Sequence, residues 1–202
     1  MIYLIGYMGS GKTTLAKKLA KLLQLPFLDT DFEIEKKENK SLDNYIHQFY
    51  HAGNYLDRKE AVDFCGKKTD DPKALSLLKD ALNDPYHGIR SLAMSKIDMK
   101  KDRIRKTFEE TLAVLVNKES NRPVKASMIE GLGKTADAKY ASLYEKNIND
   151  SSYSVSGAAL EALSKTDSVL ALKYAMELSN KPAKGKLDNA INSILVASGK
   201  EE

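Results

Sequence analysis

Asn149-Asp150-Ser151, followed by Val155-Ser156-Gly157-Ala158-Ala159-Leu160-Glu161-Ala162-Leu163, holds the pattern on which most of this chain is built. Turn and capping residues come first, then a β-branched residue, then small residues, then an apolar residue eight positions on. The same order runs from Asn83-Asp84-Pro85 into Ile89-Arg90-Ser91-Leu92-Ala93-Met94-Ser95-Lys96-Ile97. It runs again from Glu119-Ser120-Asn121 into Val124-Lys125-Ala126-Ser127-Met128-Ile129-Glu130-Gly131-Leu132. Ile89, Val124 and Val155 lie 35 and 31 residues apart, near the lower end of two-helix repeat periods. Small residues at a helix centre let paired helices approach closely.

Working outward, the segment from about Tyr55 onward predicts short amphipathic helices. They cover 57–68, 72–82, 87–97, 101–117, 123–134, 136–147, 155–165, 168–178 and 186–197. The breaks between them carry Asn, Asp, Pro, Ser and Gly, which cap helices and turn the chain. The expected fold is mostly α: a helical-repeat solenoid of HEAT type, an α-α superhelix over residues 41–202. Helix-spaced Tyr140 and Tyr144 are expected to pack between repeats.

The N-terminus reads differently. Ile2 to Ile5 is a short apolar run, and Gly6-Tyr7-Met8-Gly9-Ser10-Gly11-Lys12-Thr13 follows at once. Thr14 to Leu23 then predicts a helix with Leu15, Leu19, Leu22 and Leu23 on one side. Strand, glycine loop and helix in that order define a phosphate-binding loop. Backbone N–H groups of Gly6, Gly9, Ser10, Gly11 and Thr14 would face a phosphate at the helix N-terminus. Lys12 would reach the outer phosphates of ATP and Thr13 would hold magnesium. Leu25-Pro26-Phe27-Leu28-Asp29-Thr30-Asp31 adds a second strand ending in two carboxylates, so residues 1–40 read as a β-loop-α-β fragment.

Together these motifs resemble the start of a shikimate kinase. The resemblance implies ATP and magnesium as cofactors, with Asp29 near the metal beside Thr13. It also implies that Asp31 contacts the acceptor hydroxyl, with Lys12 as the phosphate-binding catalytic cation. The family's later Gly-Glu-x-x-Phe-Arg-x-x-Glu stretch finds its nearest counterpart in Gly53-Asn54-Tyr55-Leu56-Asp57-Arg58-Lys59-Glu60, with Asn for Glu and Asp for Phe. No triple glycine occurs in the chain. Asn121-Arg122-Pro123-Val124 and Gly131-Leu132-Gly133-Lys134-Thr135 echo a lid and a second phosphate loop, but both fall inside the helical repeats.

From Leu42 the run Asn44-Tyr45-Ile46-His47-Gln48-Phe49-Tyr50-His51-Ala52-Gly53-Asn54-Tyr55-Leu56-Asp57-Arg58-Lys59-Glu60-Ala61 resembles the entry to the C-terminal helical region of some zinc aminopeptidases. No His is followed by Glu, so the peptidase metal motif is missing and no zinc is expected. His47 and His51 have metal-compatible spacing, but no third ligand is apparent and packing or capping is expected of them. The chain thus reads as a chimera joined near residue 40, whether natural, an assembly artefact or engineered. The expected function is a non-catalytic helical-repeat module carrying a phosphate-loop fragment. The alternative is a shikimate kinase.

Composition sets the remaining bounds. The single Cys65 excludes an internal disulfide and is expected to be a packing residue. No apolar stretch reaches membrane-spanning length, and Lys12, Lys17, Lys18 and Lys21 interrupt the N-terminus, so a cytoplasmic protein with no membrane contact is expected. The net charge of +4 is spread along helical faces, with no aromatic-basic platform, so nucleic acid is not an expected partner. A protein partner on the solenoid surface and a dimer through the unpaired N-terminal strand edge are the associations the pattern permits.

Overall fold

The computed structural model describes residues 12–25 and 41–199. Contacts divide the chain into two units, Met1–Ser41 and Leu42–Glu202. In the first unit α1 covers Lys12–Leu23. It stops where Gln24 takes a positive φ of 53° and the Leu25 N–H reaches back to the Ala20 carbonyl at 3.0 Å, a Schellman-type cap made without glycine. The strand-like runs at 2–5 and 26–28, and the edge proposed for a dimer, lie outside the described residues. Among the described residues there is no strand.

The second unit is helical throughout its described length. Its helices are α2 (Leu42–His51), α3 (Tyr55–Gly66), α4 (Pro72–Ala81), α5 (His87–Lys96), α6 (Asp102–Val116), α7 (Arg122–Gly133), α8 (Ala141–Ile148), α9 (Tyr153–Ser164), α10 (Ser168–Ser179) and α11 (Lys186–Ala197). The turn residues work as the sequence suggests. Asn54, Asp71, Asn121 and Asp167 each accept a hydrogen bond from a backbone N–H in the first turn that follows. One start differs. The helix expected from Ala136 begins at Ala141, because Ala136 sits at φ 51° and Asp137 caps a 3-10 turn, Ala138–Tyr140. The Asp137 carboxylate offers the backbone a local partner that competes with an early helix start.

Alternate helices stack. α3 packs on α5, α5 on α7, α7 on α9 and α9 on α11, while α2, α4 and α6 touch in sequence as a second row. Each member of the first row also packs on the helix that precedes it in the chain. The core between the rows holds Phe108, Leu112, Met128, Ile129, Leu132, Tyr144, Ile148, Leu160 and Leu163, all buried. Glycine fixes the closest approaches. A Cβ at Gly133 would lie 2.7 Å from the Ala162 Cβ, and one at Gly157 would lie 2.5 Å from the Lys186 carbonyl carbon.

A ladder of ion pairs ties the stack along one side. Arg58 Nε lies 2.7 Å from Asp84, Arg90 grips Glu119 with two contacts of 2.7 Å, and Arg122 pairs with Asp150. Each arginine lies in the first turn of a first-row helix, and each acid sits in the turn before the next one. The acids are doubly used, since Asp84, Glu119 and Asp150 also accept the backbone N–H two residues on, from Tyr86, Asn121 and Ser152. Both the cation and the turn are thereby satisfied, which a buried carboxylate requires.

Candidate functional site

Of the phosphate-site residues, Lys12, Thr13 and Thr14 form the start of α1. Lys12 is its first residue and Thr13 its second, so the backbone N–H groups of the first turn have no intrahelical partner and point out of the helix end. That turn contains no acidic residue, so no carboxylate of its own opposes the positive end of the helix dipole, which favours an anion. Thr14 is exposed, and so are Lys17, Lys18 and Lys21 further along. Gly6, Gly9, Ser10, Gly11, Asp29 and Asp31 lie outside the described residues. Of the expected apolar stripe, Leu15, Leu22 and Leu23 are exposed and Leu19 is half-buried.

The other candidate motifs resolve into fold contacts. Arg58, in the Gly53 to Glu60 stretch, is committed to Asp84 and to the Asn54 carbonyl at 3.2 Å. Arg122, in the Arg-Pro pair, belongs to the ladder. Gly131-Leu132-Gly133 closes the C-terminal end of α7, the wrong end of a helix for an anion. Gly131 and Gly133 are buried, and a Cβ on either would meet Met94 or Ala162. Tyr140 and Tyr144 are buried as expected, with the Tyr140 hydroxyl 3.3 Å from Glu110.

A groove of about 580 Å³ opens between α9, α10 and α11, walled by Leu172, Ala190, Ile194 and Ala197. Its charged groups satisfy one another. Lys186 Nζ lies 2.8 Å from Glu130 and 3.5 Å from Glu161, and Lys165 holds Glu161 below its ordinary pKa against the opposing effect of burial. Among the described residues no group of three or more His, Cys, Asp or Glu is placed to hold a metal. Nor is any helix there long and apolar enough to cross a membrane.

A glycine loop that runs into the first turn of a helix at Lys-Thr defines a phosphate-loop protein. Comparison with known proteins narrows the class. The shikimate kinase family model matches residues 8–62. A shikimate kinase from Flavobacterium johnsoniae is 32% identical over 139 residues, which is 69% of this chain and 78% of that protein. The shikimate kinase of Azobacteroides pseudotrichonymphae is 56% identical over 41 residues, 20% of this chain and 24% of that protein. The bifunctional shikimate kinase/3-dehydroquinate synthase of Thermotoga maritima is 49% identical over 41 residues, 20% of this chain and 8% of that protein. Against these last two the chain spans a quarter of the relative's length or less. The chain belongs to the shikimate kinase family.

This corrects two expectations. The relationship does not end near residue 40, because the family match runs through the Gly53 to Glu60 stretch and the Flavobacterium alignment is far longer than the N-terminal fragment. With it falls the expectation of a non-catalytic helical-repeat module resembling an aminopeptidase domain. That expectation gave the helical periodicity, which any repeat of amphipathic helices shares, more weight than the phosphate-loop spacing, which is tied to a definite chemistry.

Proposed function

We propose that this protein is a phosphotransferase of the shikimate kinase type, moving the terminal phosphoryl group of Mg·ATP to a hydroxyl of shikimate. The observation that carries the proposal is that α1 starts at Lys12, so the residue closing the glycine loop also opens a helix free of first-turn acids. The names of the relatives support the substrate. In this scheme the loop N–H groups of Gly6, Gly9, Ser10, Gly11 and Thr14 hold the phosphates. Lys12 neutralises charge on the transferred group, and Thr13 and Asp29 hold magnesium, which offsets the charge of the phosphate oxygens when bound. Asp31 takes the acceptor hydroxyl. Arg58 is given no substrate contact, because Asp84 already holds it. The ATP requirement favours a cytoplasmic location. For residues 41–202 the alternate stacking and the arginine–acid ladder support a HEAT-like α-α superhelix, with residues 1–40 as a distinct phosphate-loop domain.

ADP release, measured with Mg·ATP and with or without shikimate, tests the activity. Shikimate-dependent turnover that Lys12→Ala abolishes is the expected result, together with a phosphorylated product by mass spectrometry. ADP release indifferent to shikimate, or turnover surviving in Lys12→Ala, would remove the proposal.

A further inference from the structure

α2 carries two histidines one turn apart, His47 and, as its last residue, His51. Both are exposed, so neither is part of the buried core. Their rings stack instead, with centroids 3.9 Å apart and planes within 11°. His51 Nδ1 lies 2.8 Å from the His47 carbonyl oxygen. A carbonyl only accepts, so this nitrogen carries the proton, and in the neutral ring the lone pair is left on Nε2. Metal-bound histidines are held in the same way, the second ring N–H donating to a backbone carbonyl or carboxylate. The His47 ring makes no hydrogen bond among the described residues, so turning it out of the stack breaks none there.

We propose that His47 and His51 form a two-imidazole site for late first-row divalent ions, copper(II) foremost and nickel(II) after it, with solvent completing the coordination. A spacing of four residues places both side chains on one helix face. Imidazole nitrogen suits these ions, and affinity climbs the series to copper. Asp43, one turn earlier on the same face, is tied to Lys73 at 2.7 Å and does not join. The site is therefore open and two-ligand. An ion held by both rings staples the last turn of α2, and because it binds the folded helix it raises thermal stability with the logarithm of its concentration above Kd. The reading of this site does not depend on the kinase proposal.

The test is copper(II) titrated into the full chain, followed by calorimetry and electron paramagnetic resonance, with circular dichroism to confirm that each variant folds. Expected are one equivalent bound with splitting from two imidazole nitrogens, and affinity lower by about tenfold or more in His47→Gln and in His51→Gln. The His87→Gln variant keeps the wild-type affinity. A single-nitrogen spectrum, unchanged affinity in the double His47→Gln/His51→Gln variant, or loss in His87→Gln instead would overturn it.

Discussion

Gly157 is where the stack of first-row helices is tightest, and replacing it with alanine puts the packing argument at risk. A Cβ there would lie 2.5 Å from the Lys186 carbonyl carbon, 2.6 Å from the Leu187 nitrogen and 2.7 Å from the Lys186 oxygen. All three are backbone atoms of the first turn of α11, so no side chain can swing aside. Restoring ordinary contact moves α11 away from α9 by about 1 Å, since carbon atoms rest at about 3.5–4.0 Å. Overpacking of this kind costs about 1–3 kcal/mol. Alanine returns about 1 kcal/mol through its better helix propensity. The clash involves backbone and so falls at the upper end, leaving a net loss of about 1–2 kcal/mol. The movement also strains the contacts of Lys186 with Glu130 and Glu161. Urea unfolding followed by far-ultraviolet circular dichroism reads the loss. Amide hydrogen exchange should show it first in α10 and α11, because a stacked array can loosen at its end repeat. Gly157→Val should lose more, and Gly53→Ala, where a Cβ meets nothing within 4 Å, should lose nothing. A Gly157→Ala protein as stable as wild type would refute the close approach.

Other groups give sharper single readings. Burial opposes the charge on Glu119, but the Arg90 guanidinium and the Asn121 N–H outweigh it and hold its pKa below the ordinary value. Its contribution to stability is therefore complete above the unfolded-state pKa, about 4.3, and lost as pH falls through the lower folded value. The stability gap between wild type and Glu119→Gln should narrow across that acid range in urea titrations, and a gap constant with pH would contradict the assignment. Tyr144 has a fully buried hydroxyl that makes no well-formed hydrogen bond among the described residues, and burial pushes its pKa well up, an effect that nearby Thr135 offsets only in part. Tyr144→Phe should match or exceed wild-type stability by about 1 kcal/mol, and a clear loss in thermal unfolding would mean the hydroxyl has a partner. Cys65 is buried, and burial, then Asp71, pushes its thiol up to about 11. A thiol reagent at neutral pH should label it only at the rate of unfolding, so immediate labelling of the native protein would contradict that burial.

The sequence by itself determined the local elements of this protein and its class of site. Turn residues such as Asn54, Asp71 and Asp167 marked helix starts because each caps its helix with its own side chain, an interaction complete within a few residues. Gly6 to Thr13 identified a phosphate loop for the same reason, since the loop is contiguous and its spacing is its chemistry. Only the tertiary structure decided the roles of residues whose partners lie a repeat away. Arg58, Arg90 and Arg122 recur every 32 residues, a signal present in the chain, yet their meaning depends on Asp84, Glu119 and Asp150 in the following turns. Arg58 read only as part of an imperfect family stretch, and its partner Asp84 appears only in three dimensions. Gly157 read as one small residue among several until the backbone of α11 was found against it. Capping is local and survives in one dimension. Packing and charge pairing join residues distant in sequence, and no pattern along the chain states those distances.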